Sequence, residues 1–275
     1  MTQQNPEIGK SISAAGINTN YLEEGAGSPL LLLHGSGPGV TAWANWRLAI
    51  PELAKNRRVI APDVAGFGYT ERKPNAPYGL DYWVEHIIGF LDALKIDRTD
   101  FVGNSFGGAL TLAVATRHPD RVGKIVLMGS AGAEFELTPG LDAVWGYEPS
   151  VKNMRSIVQM FAYDKSLLTD GLVVSRYEAS IRPGFHESYS SLFPEPRQRH
   201  ITALATPVVK LMALDKSVLL VHGRDDCIIP LESSLKLHEL IPKSELHVFG
   251  QCGHWTQIEK KDRFVRVVQD FLDAP

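Results

Sequence analysis

The stretch Asp100–Pro119, DFVGNSFGGALTLAVATRHP, decides the fold, because it places Ser105 between two glycines where the sequence pattern changes. The β-type residues at its start give way to small and apolar residues typical of a buried helix. Gly103 and Gly107 can be ordinary turn residues, which permit positive φ angles and close packing. Their spacing also fits the G-x-S-x-G elbow, in which a strained turn exposes a serine hydroxyl at a helix N-terminus. This interpretation requires an acid, a histidine and oxyanion donors elsewhere in the chain.

The composition is that of a globular protein. The chain has 275 residues, 44% hydrophobic and 21% charged, which suits one large α/β domain or a domain with an insertion. Its net charge of −3 gives no basic field for nucleic acid or anionic lipid. The start, MTQQNPEIGK, resembles no signal peptide, and no apolar run reaches membrane-spanning length, so we expect a soluble cytoplasmic protein. Cys227 and Cys252 suit neither a disulfide framework nor a zinc site, and we expect no metal.

The alternation of strand and helix patterns predicts a mostly parallel sheet flanked by helices. The strand patterns lie at Ile17–Glu23, Leu30–Leu33, Arg58–Pro62, Phe101–Gly103, Ile125–Met128, Ser217–Val221 and Glu245–Phe249. Helical patterns occur at Trp83–Leu94 and Phe264–Phe271, and two or three helices are expected from Ser150 to Pro183. Strand signals are missing from about Thr138 to Leu214. We therefore predict an α/β core of residues 1–137 and 215–275, with a helical lid of residues 138–214.

An acid and a histidine follow the last two predicted strands, in the segments HGRDDCIIP and GQCGHWTQ. Ligands bind at the carboxyl ends of parallel strands, and the chain order Ser…Asp…His is that of α/β-hydrolases. His254 can take the proton of Ser105, while an aspartate holds its tautomer. In this fold the acid usually stands four residues before a proline, which selects Asp226 before Pro230. Asp225 is then a solvated turn residue.

The glycine-rich segment LLLLHGSGPGVTAW allows a competing interpretation, because dinucleotide-binding folds also begin with a strand and a glycine-rich turn. Asp63 after the next strand agrees with that interpretation. However, Gly35 and Gly37 fit the G-x-G-x-x-G spacing, whereas Val40 occupies the third position. Pro38 also lacks the N–H that a phosphate site would use.

The same loop suits an oxyanion hole better. In hydrolases of this arrangement an HG-type loop supplies one backbone N–H, and the residue after the nucleophile supplies the other. These donors would be Ser36, or alternatively Gly37, and Phe106.

Almost the whole chain resembles the meta-cleavage-product hydrolases, which hydrolyse carbon–carbon bonds in bacterial aromatic degradation. The segments that carry the resemblance are HGSGPGVTAWANWR, APDVAGFGYT, GNSFGGAL, GLDAVWGY, FAYDKSLLTD, SRYEASIRPGF, FPEPRQR and FGQCGHWTQIE. Within the family, the chain is most similar to the 2-hydroxymuconate-semialdehyde hydrolases of monocyclic ring-fission products, rather than to those acting on biphenyl products. The resemblance implies the α/β-hydrolase fold, a small dienoate substrate, no metal or organic cofactor, and a homodimer.

The resemblance also implies residue roles beyond the Ser105, Asp226 and His254 triad. The matching residues are Arg176 for the C1 carboxylate or 2-oxo group, Asn45 and Asn104 beside it, Trp255 on the wall, and Ala131, Leu141, Trp145 and Ile228 around the C6 substituent. Each also has an ordinary structural interpretation. Arg176 could form a surface ion pair, Asn45 could cap a helix, and the tryptophans could be core residues.

Two other functions remain open on the sequence alone. A plain serine esterase would share the triad but would have no use for an arginine directed at a carboxylate. A non-catalytic member could bind a small molecule in the same pocket, although an intact triad argues against it.

Overall fold

The computed structural model describes residues 5–274, so residues 1–4 of the N-terminal stretch and residue 275 lie outside the described chain. Eight strands form one sheet. Their bounds are β1 Lys10–Ala14, β2 Ile17–Glu24, β3 Pro29–Leu33, β4 Arg58–Pro62, β5 Thr99–Asn104, β6 Val122–Met128, β7 Val218–Gly223 and β8 Ser244–Phe249.

The strand order in the sheet is β1-β2-β4-β3-β5-β6-β7-β8. β2 pairs antiparallel with both β1 and β4, and every other neighbouring pair is parallel. The predicted mostly parallel sheet is confirmed, and all seven predicted strands are present. The additional strand, β1, has only one buried residue, Ala14, so it lacks the apolar pattern that would have predicted it.

Thirteen α-helices of the described chain flank or cover the sheet. They are α1 Ala42–Trp46, α2 Ile50–Leu53, α3 Leu80–Ala93, α4 Phe106–Arg117, α5 Pro139–Trp145, α6 Val151–Phe161, α7 Asp170–Ser180, α8 Phe185–Leu192, α9 Gln198–Leu204, α10 Val208–Met212, α11 Leu231–Leu240, α12 Thr256–Glu259 and α13 Lys261–Asp273. None of the described helices is long and apolar enough to cross a membrane.

Helices α5–α10 follow one another between β6 and β7, without an intervening strand. α6 and α7 occupy the part in which two or three helices were predicted before Pro183. Side-chain caps begin several of these helices, such as Thr138 at α5 and Ser150 at α6. We refer to residues 138–214 as the helical insertion, and we propose that it is the lid that the sequence predicts.

The core lies on both faces of the sheet because side chains alternate along each strand. On β3, Leu31 and Leu33 belong to a cluster that includes α3, α4 and much of the helical insertion. Leu30 and Leu32 point to the opposite face and join a cluster with Trp46 of α1 and residues of α13. Both faces of the sheet are therefore covered, so a ligand site is expected at the carboxyl ends of the parallel strands.

Two buried histidines beside β4 are held as neutral rings by their hydrogen bonds. His34 Nε2 accepts the N–H of Val64 at 3.0 Å, and His86 Nδ1 accepts the N–H of Ala65 at 3.3 Å. The other nitrogen of each ring contacts a backbone carbonyl or a threonine hydroxyl. Protonation of either ring would put an N–H on the nitrogen that now accepts a backbone N–H, so two donors would face each other. Burial accordingly lowers the pKa of both imidazoles to about 4.

These histidines predict a loss of folding stability as pH falls from about 6.5 towards 4. In that range the unfolded chain binds protons that the folded chain excludes, so each histidine adds a slope of about 1.4 kcal/mol per pH unit. H86Q, which retains one donor and one acceptor, should give a shallower dependence than the wild type. Urea unfolding at several pH values measures the slope, with H118Q at an exposed position as control. Equal slopes for H86Q and the wild type would contradict this account.

Candidate active site

The turn between β5 and α4 holds Ser105 in a strained conformation. Its φ of +54° and ψ of −115° lie outside the regions that L-residues favour. The Ser105 N–H donates to Met128 O at 2.9 Å, and the Ser105 carbonyl accepts the N–H groups of Gly108 and Ala131. These bonds attach the elbow to β6 and to the segment that follows it.

The two flanking glycines provide the space that this turn requires. A Cβ atom at Gly103 would lie 2.4 Å from the carbonyl oxygen of Gly107. A Cβ atom at Gly107 would lie 2.3 Å from the carbonyl oxygen of Leu33 in β3. Both obstacles are backbone atoms, which cannot rotate away. The glycines therefore allow α4 to pack closely against β5 and β3.

Asp226 and His254 form a buried pair after β7 and β8. His254 Nδ1 donates to Asp226 Oδ2 at 2.7 Å, and Asp226 Oδ1 accepts the N–H groups of Ile228 and Ile229 at 2.7 and 3.0 Å. Burial alone would raise the pKa of Asp226, but His254 and the buried His222 outweigh it and hold the pKa well below its usual range. The carboxylate is therefore ionised and fully oriented.

Asp225 lies outside this arrangement. Its carboxylate accepts the N–H of Cys252 at 3.3 Å and lies 3.4 Å from the guanidinium of Arg224. The structure thus brings Asp226, and not its neighbour, against the histidine.

Ser36 and Phe106 have backbone N–H groups that donate to no protein acceptor within the described chain. Ser36 and Gly37 line the same cavity as Ser105, and Phe106 begins α4 directly after it. Two side chains of the helical insertion fix the Ser36 loop. Trp145 Nε1 donates to Ser36 Oγ at 3.0 Å, and the Tyr189 hydroxyl lies 3.0 Å from Ser36 O and 2.6 Å from Val144 O.

A cavity of about 340 Å³ lies between the sheet edge and the helical insertion, and Ser105 and His254 both line it. Its polar lining includes Ser36, Arg47, Asn45, Asn104, Arg176 and Gln257. Its apolar lining includes Leu141, Val144, Met154, Ile157, Val158, Phe161, Leu172, Ile228 and Trp255. Ser105 and His254 therefore face a chamber with both charged and apolar walls.

Arg176 and Arg47 bring positive charge to this chamber. The Arg176 guanidinium donates to Gly39 O at 2.6 Å, and within the described chain neither arginine forms a salt bridge. Burial lowers the pKa of Arg176 to about 10, so it remains charged at neutral pH. Asn45 adds a buried Nδ2 that has no hydrogen-bond partner. This wall can bind an anionic group.

Two residues predicted around the C6 substituent do not line the cavity. The Trp145 indole stacks on Phe193 at 4.3 Å between ring centroids and supports the Ser36 loop. Ala131 is buried, and its backbone N–H binds the carbonyl of Ser105. Leu141 and Ile228 do line it, and Trp255 stacks on Phe161 at 5.0 Å.

Sequence reasoning missed several residues of the chamber. Met154, Ile157, Val158 and Phe161 follow the helical spacing of α6, which does not distinguish a cavity wall from a core. Arg47 is the last residue of the segment HGSGPGVTAWANWR. Its place close to the glycine-rich loop could have indicated that it lines the cavity. No cluster of three or more potential metal ligands occurs within residues 5–274.

Comparison with known proteins decides the family. The model of the alpha/beta hydrolase fold matches residues 28–261. The 2-hydroxymuconate semialdehyde hydrolase of Pseudomonas sp. (strain CF600) is 59% identical over 98% of this chain and 95% of the relative. The 2-hydroxy-6-oxo-2,4-heptadienoate hydrolase of Pseudomonas putida is 58% identical over 100% of this chain and 99% of the relative.

This chain belongs to the meta-cleavage product hydrolases. A solved meta-cleavage product hydrolase from Pseudomonas fluorescens IP01 superposes with a TM-score of 0.97 at 58% identity, covering 98% of this chain and 99% of that one. The predicted α/β-hydrolase fold and family are therefore confirmed. As a meta-cleavage product hydrolase, the protein carries the serine nucleophile elbow and the His–Asp pair at the positions described above.

The adjacent aspartates provide a test of the triad. D226N should lower kcat by about four orders of magnitude, because the asparagine NH₂ would favour the wrong tautomer of His254. D225N is the matched control and should retain nearly full activity. Steady-state kinetics on a dienoate substrate measures both variants. The reverse result, with D225N the inactive variant, would show that the assigned register is wrong.

Proposed function

We infer that this enzyme hydrolyses the C5–C6 bond of 2-hydroxy-6-oxo-hexa-2,4-dienoates. The products are 2-hydroxypenta-2,4-dienoate and a carboxylic acid, and the reaction belongs to the degradation of monocyclic aromatic compounds. The observation that carries this conclusion is the chamber, in which Ser105 and His254 face an unpaired arginine, Arg176, and an apolar wall. The full-length similarity to carbon–carbon bond hydrolases supports it.

The carbon–carbon bond breaks only if the electron pair that leaves C6 has a conjugated sink. Net transfer of the enol proton from O2 to C5 creates a 2-oxo group conjugated with the C3–C4 double bond. The C5–C6 electron pair can then move through this system onto O2. Water supplies a hydroxyl group to C6, which becomes the carboxylic acid, and its remaining proton ends on O2. This balance requires no redox partner.

The described residues suit these steps. We propose that His254 moves the proton during tautomerisation and hydrolysis, with Asp226 stabilising the imidazolium. The N–H groups of Ser36 and Phe106 would stabilise the negative charge that develops on the C6 oxygen. Attack by Ser105 would give an acyl-enzyme, whereas activation of water by His254 would bypass it. Both routes use the same chamber.

The charged wall would orient the substrate. A guanidinium can bind a carboxylate through two parallel hydrogen bonds, so we propose that Arg176 binds the C1 carboxylate or the 2-oxo group. Asn45 and Asn104 lie in the same lining and would contact the polar end of the dienoate. The apolar wall then surrounds the C6 substituent. From the resemblance alone, we also propose a cytoplasmic homodimer, which cell fractionation and analytical ultracentrifugation would test.

Arg176 separates this function from that of a plain serine esterase. R176K should lower kcat/KM for the dienoate by at least tenfold, because lysine cannot reproduce the bidentate contact. Hydrolysis of a small neutral p-nitrophenyl ester should fall much less, since the ester offers no carboxylate. Steady-state kinetics on both substrates measures the ratio. Equal losses on the two substrates would indicate instability of the helical insertion instead of lost recognition.

The chamber also predicts a preference at C6. Hydrogen or a methyl group should be accepted there, and a phenyl group should be disfavoured by Leu141 and Ile228. One methylene changes discrimination by about 1–3 kcal/mol, and overfilling a packed wall adds strain. I228A should therefore narrow the gap in kcat/KM between the 6-methyl and 6-phenyl substrates, and I241A at a buried position outside the lining is the control. A wild type that hydrolyses both substrates equally well would contradict this assignment.

A further inference from the structure

A second histidine contacts the carboxylate that orients His254. His222 stands near the end of β7, and its side chain, like that of Asp226, is 0% exposed. Its Nε2 lies 3.0 Å from Ile229 O and 3.4 Å from Asp226 Oδ2. Its Nδ1 lies 2.7 Å from Ser234 Oγ in α11. The ring therefore links the single loop that carries Asp226 and Ile229 to helix α11.

The neighbours of His222 decide its tautomer. Ile229 O and the ionised Asp226 can only accept hydrogen bonds, so Nε2 must carry the proton. In the neutral ring Nδ1 is then an acceptor, and the Ser234 hydroxyl donates to it. His222 Nε2–H consequently donates to the Ile229 carbonyl, and Nε2 also lies 3.4 Å from Asp226 Oδ2, the same oxygen that binds His254 Nδ1.

We propose that His222 is a positioning residue for catalysis that acts through Asp226. This proposal rests on the function proposed above. The N–H of His222 withdraws charge from Asp226 Oδ2, so that His254 interacts with a weaker acceptor and releases its proton more readily. The ring also ties the Ile229 carbonyl to α11. This contact fixes the turn whose N–H groups bind Asp226 Oδ1.

Other titratable groups near Asp226 do not share this role. Burial raises the pKa of Cys252 to about 12, so its thiol is neutral at physiological pH. Asp225 binds the backbone of Cys252 and does not contact the Asp226–His254 pair. Gly129 brings only backbone against this pair, because a Cβ there would lie 3.1 Å from His254 Nδ1. Among the titratable side chains of the described chain, His222 and His254 are the two that contact the Asp226 carboxylate.

The variants H222Q and H222N test this role as a matched pair. The Gln amide nitrogen reaches the position of Nε2 and keeps the donor to Asp226, whereas the Asn nitrogen reaches only the position of Nδ1. H222N should move the acid limb of the kcat/KM–pH profile about half a unit to higher pH and lower kcat about tenfold. H222Q should keep the limb at its wild-type position. An unmoved limb in H222N, or the same shift in both variants, would overturn the proposal.

S234A provides a second measurement that does not disturb the volume of the core strongly. Loss of the Ser234 hydroxyl frees the ring of His222 and should move the acid limb in the same direction by a smaller amount. If H222N fails to fold, a shift of the acid limb in S234A still supports the proposal. An acid limb of S234A at the wild-type position contradicts it. Turnover of the dienoate by the wild type tests the proposed function separately, so the two failures are distinguishable.

Discussion

The backbone at Ser105 is the constraint on which the rest of the site depends. A residue with φ of +54° joins a central strand directly to a buried helix, and this turn is possible only because Gly103 and Gly107 bring no Cβ atoms into it. The strain is held by hydrogen bonds to β6. The same geometry places the serine at the edge where the parallel strands end. It also leaves the N–H of Phe106 free at the start of α4.

Two charged side chains lie near this elbow, Asp226 behind the chamber and Arg176 in its wall. Asp226 is buried behind the chamber, where backbone N–H groups and two imidazoles satisfy its carboxylate. Arg176 lines the chamber itself and forms no salt bridge within residues 5–274. The first charge has all its partners within the protein, and His254 is one of them. The second charge can still accept an anion, which is the basis of the contact proposed between Arg176 and a substrate carboxylate.

The sequence predicted the sheet, and it predicted that Ser105, Asp226 and His254 lie near one another because each stands in the segment after a predicted strand. It could not predict the chamber wall in α6, since a helix shows the same spacing whether its apolar face meets a core or a cavity. It also could not predict that Trp145 turns towards Ser36, because a side chain's direction depends on packing partners distant in the chain. The contact of His222 with Asp226 could not be predicted from the sequence either, although the two residues are only four positions apart.

Product analysis in water enriched in heavy oxygen tests carbon–carbon bond hydrolysis most directly. The wild-type enzyme would be incubated with a 6-methyl dienoate, and the products would be identified by mass spectrometry. The account predicts equal amounts of 2-hydroxypenta-2,4-dienoate and acetic acid, with one heavy oxygen in the acid and none required in the dienoate. Loss of the dienolate absorbance with the carbon skeleton intact would contradict it.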